Sequence, residues 1–76
     1  MKEWDIYEEG FVVMECSARA HYLGKGYGET FLDACKEYIS RGNPGEIRIG
    51  TDGKEYPLYW GCQWFPTLEE AQKSFG

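Results

Sequence analysis

Two segments of this chain repeat one nine-residue pattern, and both have the features of a helix start. Residues 30–38 and 67–75 each read Thr, apolar, any residue, acid, Ala, any residue, Lys, any residue, aromatic. The hydroxyl of Thr30 or Thr67 can accept a hydrogen bond from an amide of the first turn, and the acid three residues later can return the bond. The pattern therefore predicts two short helices that begin at corresponding points of two similar units.

Ahead of each predicted helix, apolar and polar residues alternate as they do in a strand with one buried face. Residues 4–8 and 11–23 are predicted to form one hairpin. The Asp52-Gly53 pair predicts a second hairpin, because Asp-Gly between alternating runs favours a two-residue type I′ turn. This turn would pair Ile49 with Tyr56. The same register places the following residues on one buried face of a single long strand: Tyr56, Leu58, Trp60, Cys62 and Trp64.

The predicted order of elements is ββαββα, a tandem ββα, within one domain of residues 1–76. We therefore predict an α+β fold, a two-layer sandwich in which a four-stranded antiparallel sheet carries both helices on one face. The halves 1–42 and 43–76 would form a pseudo-repeat. Two states of assembly are compatible with this fold, a monomer and a homodimer that extends the edge of the sheet.

The composition indicates the kind of partner and compartment. Thirteen acidic residues against eight Lys and Arg give a formal net charge of −5, which opposes direct nucleic-acid binding and favours a protein partner with a basic surface. Three cysteines without a CxxC spacing, Cys16, Cys35 and Cys62, indicate free thiols in a reducing cytoplasm. No apolar run approaches the ~20 residues of a membrane helix, and no signal peptide is recognised, so no membrane association is expected.

A glycine-rich segment, residues 24–28, is predicted to connect a strand to the first helix. Free amides and the helix dipole at such a connection can hold a phosphate, in which case Lys25, Tyr27 and Thr30 would contact the ligand. The segment completes neither a Walker A loop nor GxGxxG, and two neighbouring acids would repel an anion. The segment is therefore either a flexible connection or the site of a protein that binds or sequesters a nucleotide or another small ligand.

Metal binding and catalysis are disfavoured by the spacing of the reactive residues. Cys16 and His21 are five residues apart on one predicted strand, so their side chains would point to opposite faces and could not share a zinc ion with Cys35 and Cys62. His21 has no nucleophile or acid within predicted reach. We therefore predict no metal, no cofactor and no enzymatic activity.

The remaining candidate is the sheet face that the predicted helices leave open. Aromatic side chains supply rigid contact area at protein interfaces, and acids attract a basic partner. The residues predicted to provide both are Tyr7, Glu9, Phe11, Glu15, Tyr59 and Phe65. Ordinary surface and self-association are the alternative interpretations of the same face.

In size, acidity, aromatic content and hairpin-plus-helix plan, the chain resembles the small acidic proteins of bacteriophages and mobile elements, such as anti-CRISPR proteins. The resemblance is one of overall character and includes no family motif. It implies a stoichiometric inhibitor or modulator of a host protein, including one that processes nucleic acid. The resulting hypothesis is a non-catalytic protein-binding module, and the alternative is the small-ligand-binding protein described above.

Overall fold

The computed structural model describes residues 1–14 and 16–74, which contain seven strands and two helices. The strands are β1 (Lys2–Glu8), β2 (Phe11–Val13), β3 (Cys16–Ala18), β4 (His21–Gly28), β5 (Glu46–Ile49), β6 (Glu55–Tyr59) and β7 (Cys62–Phe65). The helices are α1 (Phe31–Ser40) and α2 (Leu68–Ser74), and neither is long and apolar enough to cross a membrane.

Five of these strands form one antiparallel sheet in the order β4-β1-β7-β6-β5, and β2 pairs with β3 in a separate hairpin. The predicted fold, a four-stranded sandwich of ββαββα order with two helices on one face, is therefore wrong. Each long strand that the alternation predicted is divided in the structure. Residues 11–23 contribute to β2, β3 and β4, and residues 56–64 are divided between β6 and β7.

The division of the second long strand occurs at Trp60 and Gly61. Both residues have positive φ, 55° and 77°, so they form a tight turn that pairs Tyr59 with Cys62. Apolar residues continue to alternate through the turn, and periodicity alone therefore does not reveal it. As a consequence Trp60, which was predicted to lie in the core, projects into solvent.

The β5–β6 hairpin differs from the prediction by one residue of register. Ile49 lies opposite Glu55 instead of Tyr56, because the connection is a three-residue loop in which Gly53 adopts a φ of 80°. The carboxylate of Asp52 accepts a hydrogen bond from the amide of Lys54 at 3.0 Å, which stabilises this longer loop. Since side chains alternate across a strand, the slip buries Pro57 and leaves Tyr56 and Leu58 only partly buried.

Helix α1 begins as predicted and packs closely on β4. The hydroxyl of Thr30 accepts a hydrogen bond from the amide of Asp33 at 3.1 Å, which confirms the predicted cap. The glycines of residues 24–28 allow the close approach, because a Cβ at Gly26 would lie 2.2 Å from the carbonyl oxygen of Ala34. Under the helix, Ile6, Cys35 and Trp64 form the core cluster, and four partly buried side chains pack against it: Leu23, Phe31, Tyr38 and Ile39.

Helix α2 begins at the second repeat of the pattern. The hydroxyl of Thr67 accepts a hydrogen bond from the amide of Glu70 at 3.2 Å, as the pattern predicts. The helix contacts β7, β1 and β4, and Ala71 is buried outside the core cluster under α1. Of the other apolar positions in the repeated pattern, Leu68 is exposed and Phe75 lies outside the described residues.

An ion pair of α1 covers the outer edge of β4. Nε of Arg41 lies 2.7 Å from Oε2 of Glu37. The Glu37 carboxylate accepts a hydrogen bond from the amide of Tyr27 at 3.1 Å, and the Arg41 guanidinium donates one to the carbonyl of Lys25. These backbone groups are the ones that an added strand would use, so the pair opposes extension of the sheet at this edge.

We expect Arg41→Ala to promote self-association through β4. The substitution uncovers the carbonyl of Lys25 and also removes the guanidinium from the faces of Tyr27 and Tyr38, which it approaches to 5.8 and 5.6 Å. Sedimentation velocity over a concentration series should show a larger average mass than for the wild type. Lys36→Ala, which removes another exposed cation of α1, is the control and should sediment like the wild type. Identical behaviour of the Arg41 variant and the wild type would contradict the assignment.

Candidate functional site

A cleft with a volume of about 400 Å³ lies between the start of β2 and the turn that joins β6 to β7. We call it the Trp60 cleft, and it is lined by Glu8, Phe11, Tyr59, Trp60 and Cys62. Glu8 ends β1 and Cys62 begins β7, so the floor belongs to the central strands of the sheet. Phe11 begins β2 and Trp60 lies in the β6–β7 turn, so these two residues line the cleft from segments at the edge of that floor.

Trp60 is the most unusual residue of the cleft. Its side chain is 84% exposed, although Trp is highly buried on average. Its φ of 55° places a bulky residue in the left-handed region, which costs about 1 kcal/mol or more relative to glycine. An exposed aromatic side chain held in an unfavourable backbone conformation is an outlier of the kind found at functional sites.

The aromatic rings of the cleft offer their faces in different directions. The rings of Tyr59 and Trp60 have centroids 6.2 Å apart and stand at 86° to each other. Tyr59 is 38% exposed and Phe11 is partly exposed, so both can contact a ligand. Perpendicular rings form two walls of a corner, into which an apolar or cationic group can insert.

A carboxylate lines the same cleft. Glu8 is only 7% exposed, and its Oε2 accepts a hydrogen bond from the indole nitrogen of Trp64 at 3.1 Å. Its Oε1 lies 3.6 Å from Nε2 of His21, beyond hydrogen-bonding distance. Nδ1 of His21 is 3.0 Å from the carbonyl oxygen of Arg19. Since a carbonyl can only accept, the proton on Nδ1 donates to it, and Nε2 faces the carboxylate.

The thiol in the cleft is not suited to nucleophilic chemistry. Burial raises the pKa of Cys62, and the negative charges of Glu8 and Glu9 raise it further. Burial alone raises the pKa of Cys35 to about 12. Both therefore remain thiols at neutral pH, whereas a reactive cysteine needs an electropositive environment that favours the thiolate. Cys16 is exposed on the β2–β3 hairpin.

The β2–β3 hairpin extends the apolar surface beside the cleft. Val12 is 63% exposed and Met14 is 96% exposed. Val12 and Trp60 also line a second concavity, next to Glu9 and Ser74. Val12 thus joins the apolar surface of the hairpin to the β6–β7 turn, and Met14 is exposed on the same hairpin.

The structure divides the predicted aromatic face between two places. Phe11 and Tyr59 line the Trp60 cleft. Tyr7 and Phe65 lie opposite each other on β1 and β7, and the ring of Tyr7 also packs on Tyr22 at 5.2 Å. The cause is the turn at Trp60, which pairs Tyr59 with Cys62 and thereby turns it to the same side of the sheet as that buried residue.

Of the two acids predicted for the binding surface, Glu9 and Glu15, the structure describes only Glu9. The Glu9 carboxylate accepts hydrogen bonds from the amide of Gln63, at 2.9 Å, and from the hydroxyl of Ser74. It therefore joins β7 to α2 and lies beside the cleft. Glu15 lies outside the described residues.

The predicted ligand-binding loop is part of a strand. Residues 24–28 belong to β4 and pair with β1, so the expected loop with free amides is wrong. Nζ of Lys25 lies 3.0 Å from Oε2 of Glu3 and 3.6 Å from Oδ1 of Asp5. Tyr27 belongs to the edge of β4 that Glu37 and Arg41 cover, and Thr30 caps α1. Ligand binding by these three residues stays a prediction, without the loop on which it was based.

The sequence interpretation missed Trp60 and Glu8 as site residues. For Trp60 there was a signal, because a glycine follows it in the middle of an alternating run, and glycine favours the left-handed position of a tight turn. For Glu8 there was none. Its burial depends on the indole of Trp64, which lies 56 residues further along the chain.

Comparison of the chain with family models, curated proteins and solved structures gives no match. The chemistry of the cleft therefore follows from its own side chains. Aromatic faces, flanking apolar groups and a buried carboxylate provide contact area and negative charge, which are the properties of a recognition surface.

Proposed function

We propose that this protein is a non-catalytic protein-binding module that modulates its partner by occupying part of the partner's surface. The binding surface consists of the Trp60 cleft and the exposed side chains of Val12 and Met14. The observation that carries the proposal is Trp60, an 84% exposed indole fixed in a left-handed turn. Burial against a partner would remove the cost of exposing this side chain.

The composition of the surface supports a protein as the ligand. Trp and Tyr are enriched among the residues that dominate binding energies at protein interfaces, and they act best when surrounding contacts exclude water. Here Phe11 and Val12 can supply those contacts around Tyr59 and Trp60, and Met14 adds exposed apolar area on the same hairpin. The sheet beneath keeps the anchors in place, which limits the entropy lost on binding.

Charge supports a partner with a basic surface. The chain carries a net charge of −5, and Glu8 and Glu9 lie at or beside the cleft. Arg48 lines a neighbouring concavity with Tyr59 and Trp60, and its guanidinium is paired with Glu46 at 2.7 Å. A negative field of this kind accelerates encounter with a positively charged surface and disfavours acidic partners and nucleic acid. The same proposal locates the protein in the cytoplasm, because its three cysteines are free.

The test is affinity capture from a lysate of the cells that express the protein. Wild type and Trp60→Ala would be compared, and each recovered partner would then be titrated by calorimetry. We expect Trp60→Ala to weaken the interaction by about tenfold or more, because a central aromatic anchor contributes about 2 kcal/mol.

Tyr27→Ala is the matched control, because Tyr27 is an exposed aromatic residue on the covered edge of β4, away from the residues that line the cleft. It should bind the partner like the wild type. Equal affinity of Trp60→Ala and wild type would refute the proposal. Equal loss in both variants would also refute it, since the effect would not be specific to the cleft.

A further inference from the structure

We propose that the Trp60 cleft is a cation site that accepts the ammonium group of a lysine side chain presented by the partner protein. This inference rests on the proposed function and names the group that the cleft recognises. Three aromatic side chains and one buried carboxylate line a single cavity of about 400 Å³: Phe11, Tyr59, Trp60 and Glu8. Aromatic walls around a negative charge are the composition that binds ammonium ions in other proteins.

The rings have the required arrangement. A cation is attracted by the face of an aromatic ring within about 6 Å of its centroid, and Trp gives the strongest attraction. The rings of Tyr59 and Trp60 are perpendicular, with centroids 6.2 Å apart, so a cation in the corner can approach both rings together. The methylene groups of a lysine stem would contact Phe11 at the side of the cleft.

The carboxylate at the floor has one oxygen suited to a new donor. Oε2 of Glu8 is engaged by Trp64, whereas Oε1 is 3.6 Å from Nε2 of His21, too far for a hydrogen bond. When the His21 ring is neutral, both of these atoms are acceptors. An ammonium group in the cleft can donate to Oε1 of Glu8, and it places a positive charge beside a buried carboxylate.

The environment selects a compact cation. Glu8 and Glu9 are close enough for their charges to act on the thiol of Cys62, which lines the same cavity. This field favours a positive ligand. Arginine binds carboxylates best through two parallel hydrogen bonds, and one oxygen of Glu8 already accepts from Trp64, so the point charge of lysine fits better.

The experiment is an NMR titration of the ¹⁵N-labelled protein with capped tripeptides, Gly-Lys-Gly and Gly-norleucine-Gly, followed through the three indole N–H signals. Trp4 donates to Gly28, so its signal reports the fold, while Trp60 and Trp64, whose indole N–H bonds to Glu8, report the cleft. At millimolar concentrations we expect the lysine peptide to shift Trp60 and to bind about fivefold or more tightly than its uncharged counterpart. Trp60→Ala should abolish binding, and Glu8→Gln should remove most of the preference for lysine.

Equal binding of the two peptides, absence of any shift at millimolar lysine peptide, or binding that survives Trp60→Ala would overturn the inference. Because Trp60 is exposed, its replacement keeps the test valid even if Glu8→Gln fails to fold. A trimethyl-lysine peptide that binds as tightly as the lysine peptide would show that no N–H donor reaches Glu8, which would also overturn it. These outcomes can be distinguished from failure of the proposed function, because that function fails only if Trp60→Ala binds the captured partner like the wild type or if the Tyr27→Ala control loses binding equally.

Discussion

Replacing Gly26 by Ala should lower the free energy of unfolding by about 3 kcal/mol, because the new methyl group cannot be accommodated between β4 and α1. Its carbon would lie 2.2 Å from the carbonyl oxygen and 2.8 Å from the carbonyl carbon of Ala34. Both are backbone atoms of the helix, so relief requires the helix to move away from the sheet. Urea unfolding followed by tryptophan fluorescence measures the change.

Gly24→Ala is the matched control on the same face of the same strand. There the methyl group would meet the ring of Tyr38 at 3.1 Å, and a side chain can shift by the few tenths of an ångström that are needed. We expect a loss of about 1 kcal/mol or less. Equal destabilisation of the Gly24 and Gly26 variants would contradict the close approach of α1 to β4 at Gly26.

Trp64→Ala should cost about 4 kcal/mol, the second large effect that we expect. The indole is 1% exposed, packs edge-on against Tyr38 with centroids 5.5 Å apart, and donates a hydrogen bond to Glu8. The truncation therefore leaves a cavity and also removes the donor from a buried carboxylate. In a domain of this size such a loss is a large part of the total stability.

The same substitution at Trp60 provides the comparison for Trp64. Because Trp60 is exposed in a turn, Trp60→Ala should change the free energy of unfolding by about 0.5 kcal/mol or less. Trp60→Gly should stabilise the protein by about 1 kcal/mol, since glycine adopts a positive φ without strain. A cost at Trp60 similar to that at Trp64 would contradict the placement of these two indoles.

The helix starts could be predicted because their signals are local. A threonine hydroxyl and an amide three residues away are brought together by the helix itself, and both Thr30 and Thr67 make this bond. The end of α1 is equally local, since Gly42 has a φ of 94° and its amide bonds to the carbonyl of Ile39. These features do not depend on the rest of the chain.

The sheet could not be predicted because its turns do not interrupt the apolar alternation. Trp60 and Gly61 form a turn inside a run that reads as one strand, and the loop around Gly53 is one residue longer than its sequence favours. A change of one residue at either place exchanges the two faces of the following strand. Tyr59 was therefore predicted on the wrong face, and Pro57 was not predicted in the core.

Only part of the candidate site could be predicted, because the alternation does not reveal the turn at Trp60. Phe11 and Tyr59 were among the aromatic residues predicted at the surface and both line the cleft, although Tyr59 lies on the opposite face of the sheet from the one predicted. The residues that give the cleft its character, Trp60 and Glu8, depend on a turn and on a contact between distant segments. The only local signal is the glycine that follows Trp60.

Hydroxyl-radical footprinting of the protein with its captured partner tests most directly whether the Trp60 cleft is the binding surface. Trp60 and Met14 are both highly exposed and readily oxidised, while Trp64 is buried and serves as the internal reference. We expect the partner to protect Trp60 and Met14 from oxidation and to leave Tyr27, on the far edge, as reactive as in the free protein. Unchanged oxidation of Trp60 together with protection of Tyr27 would contradict it.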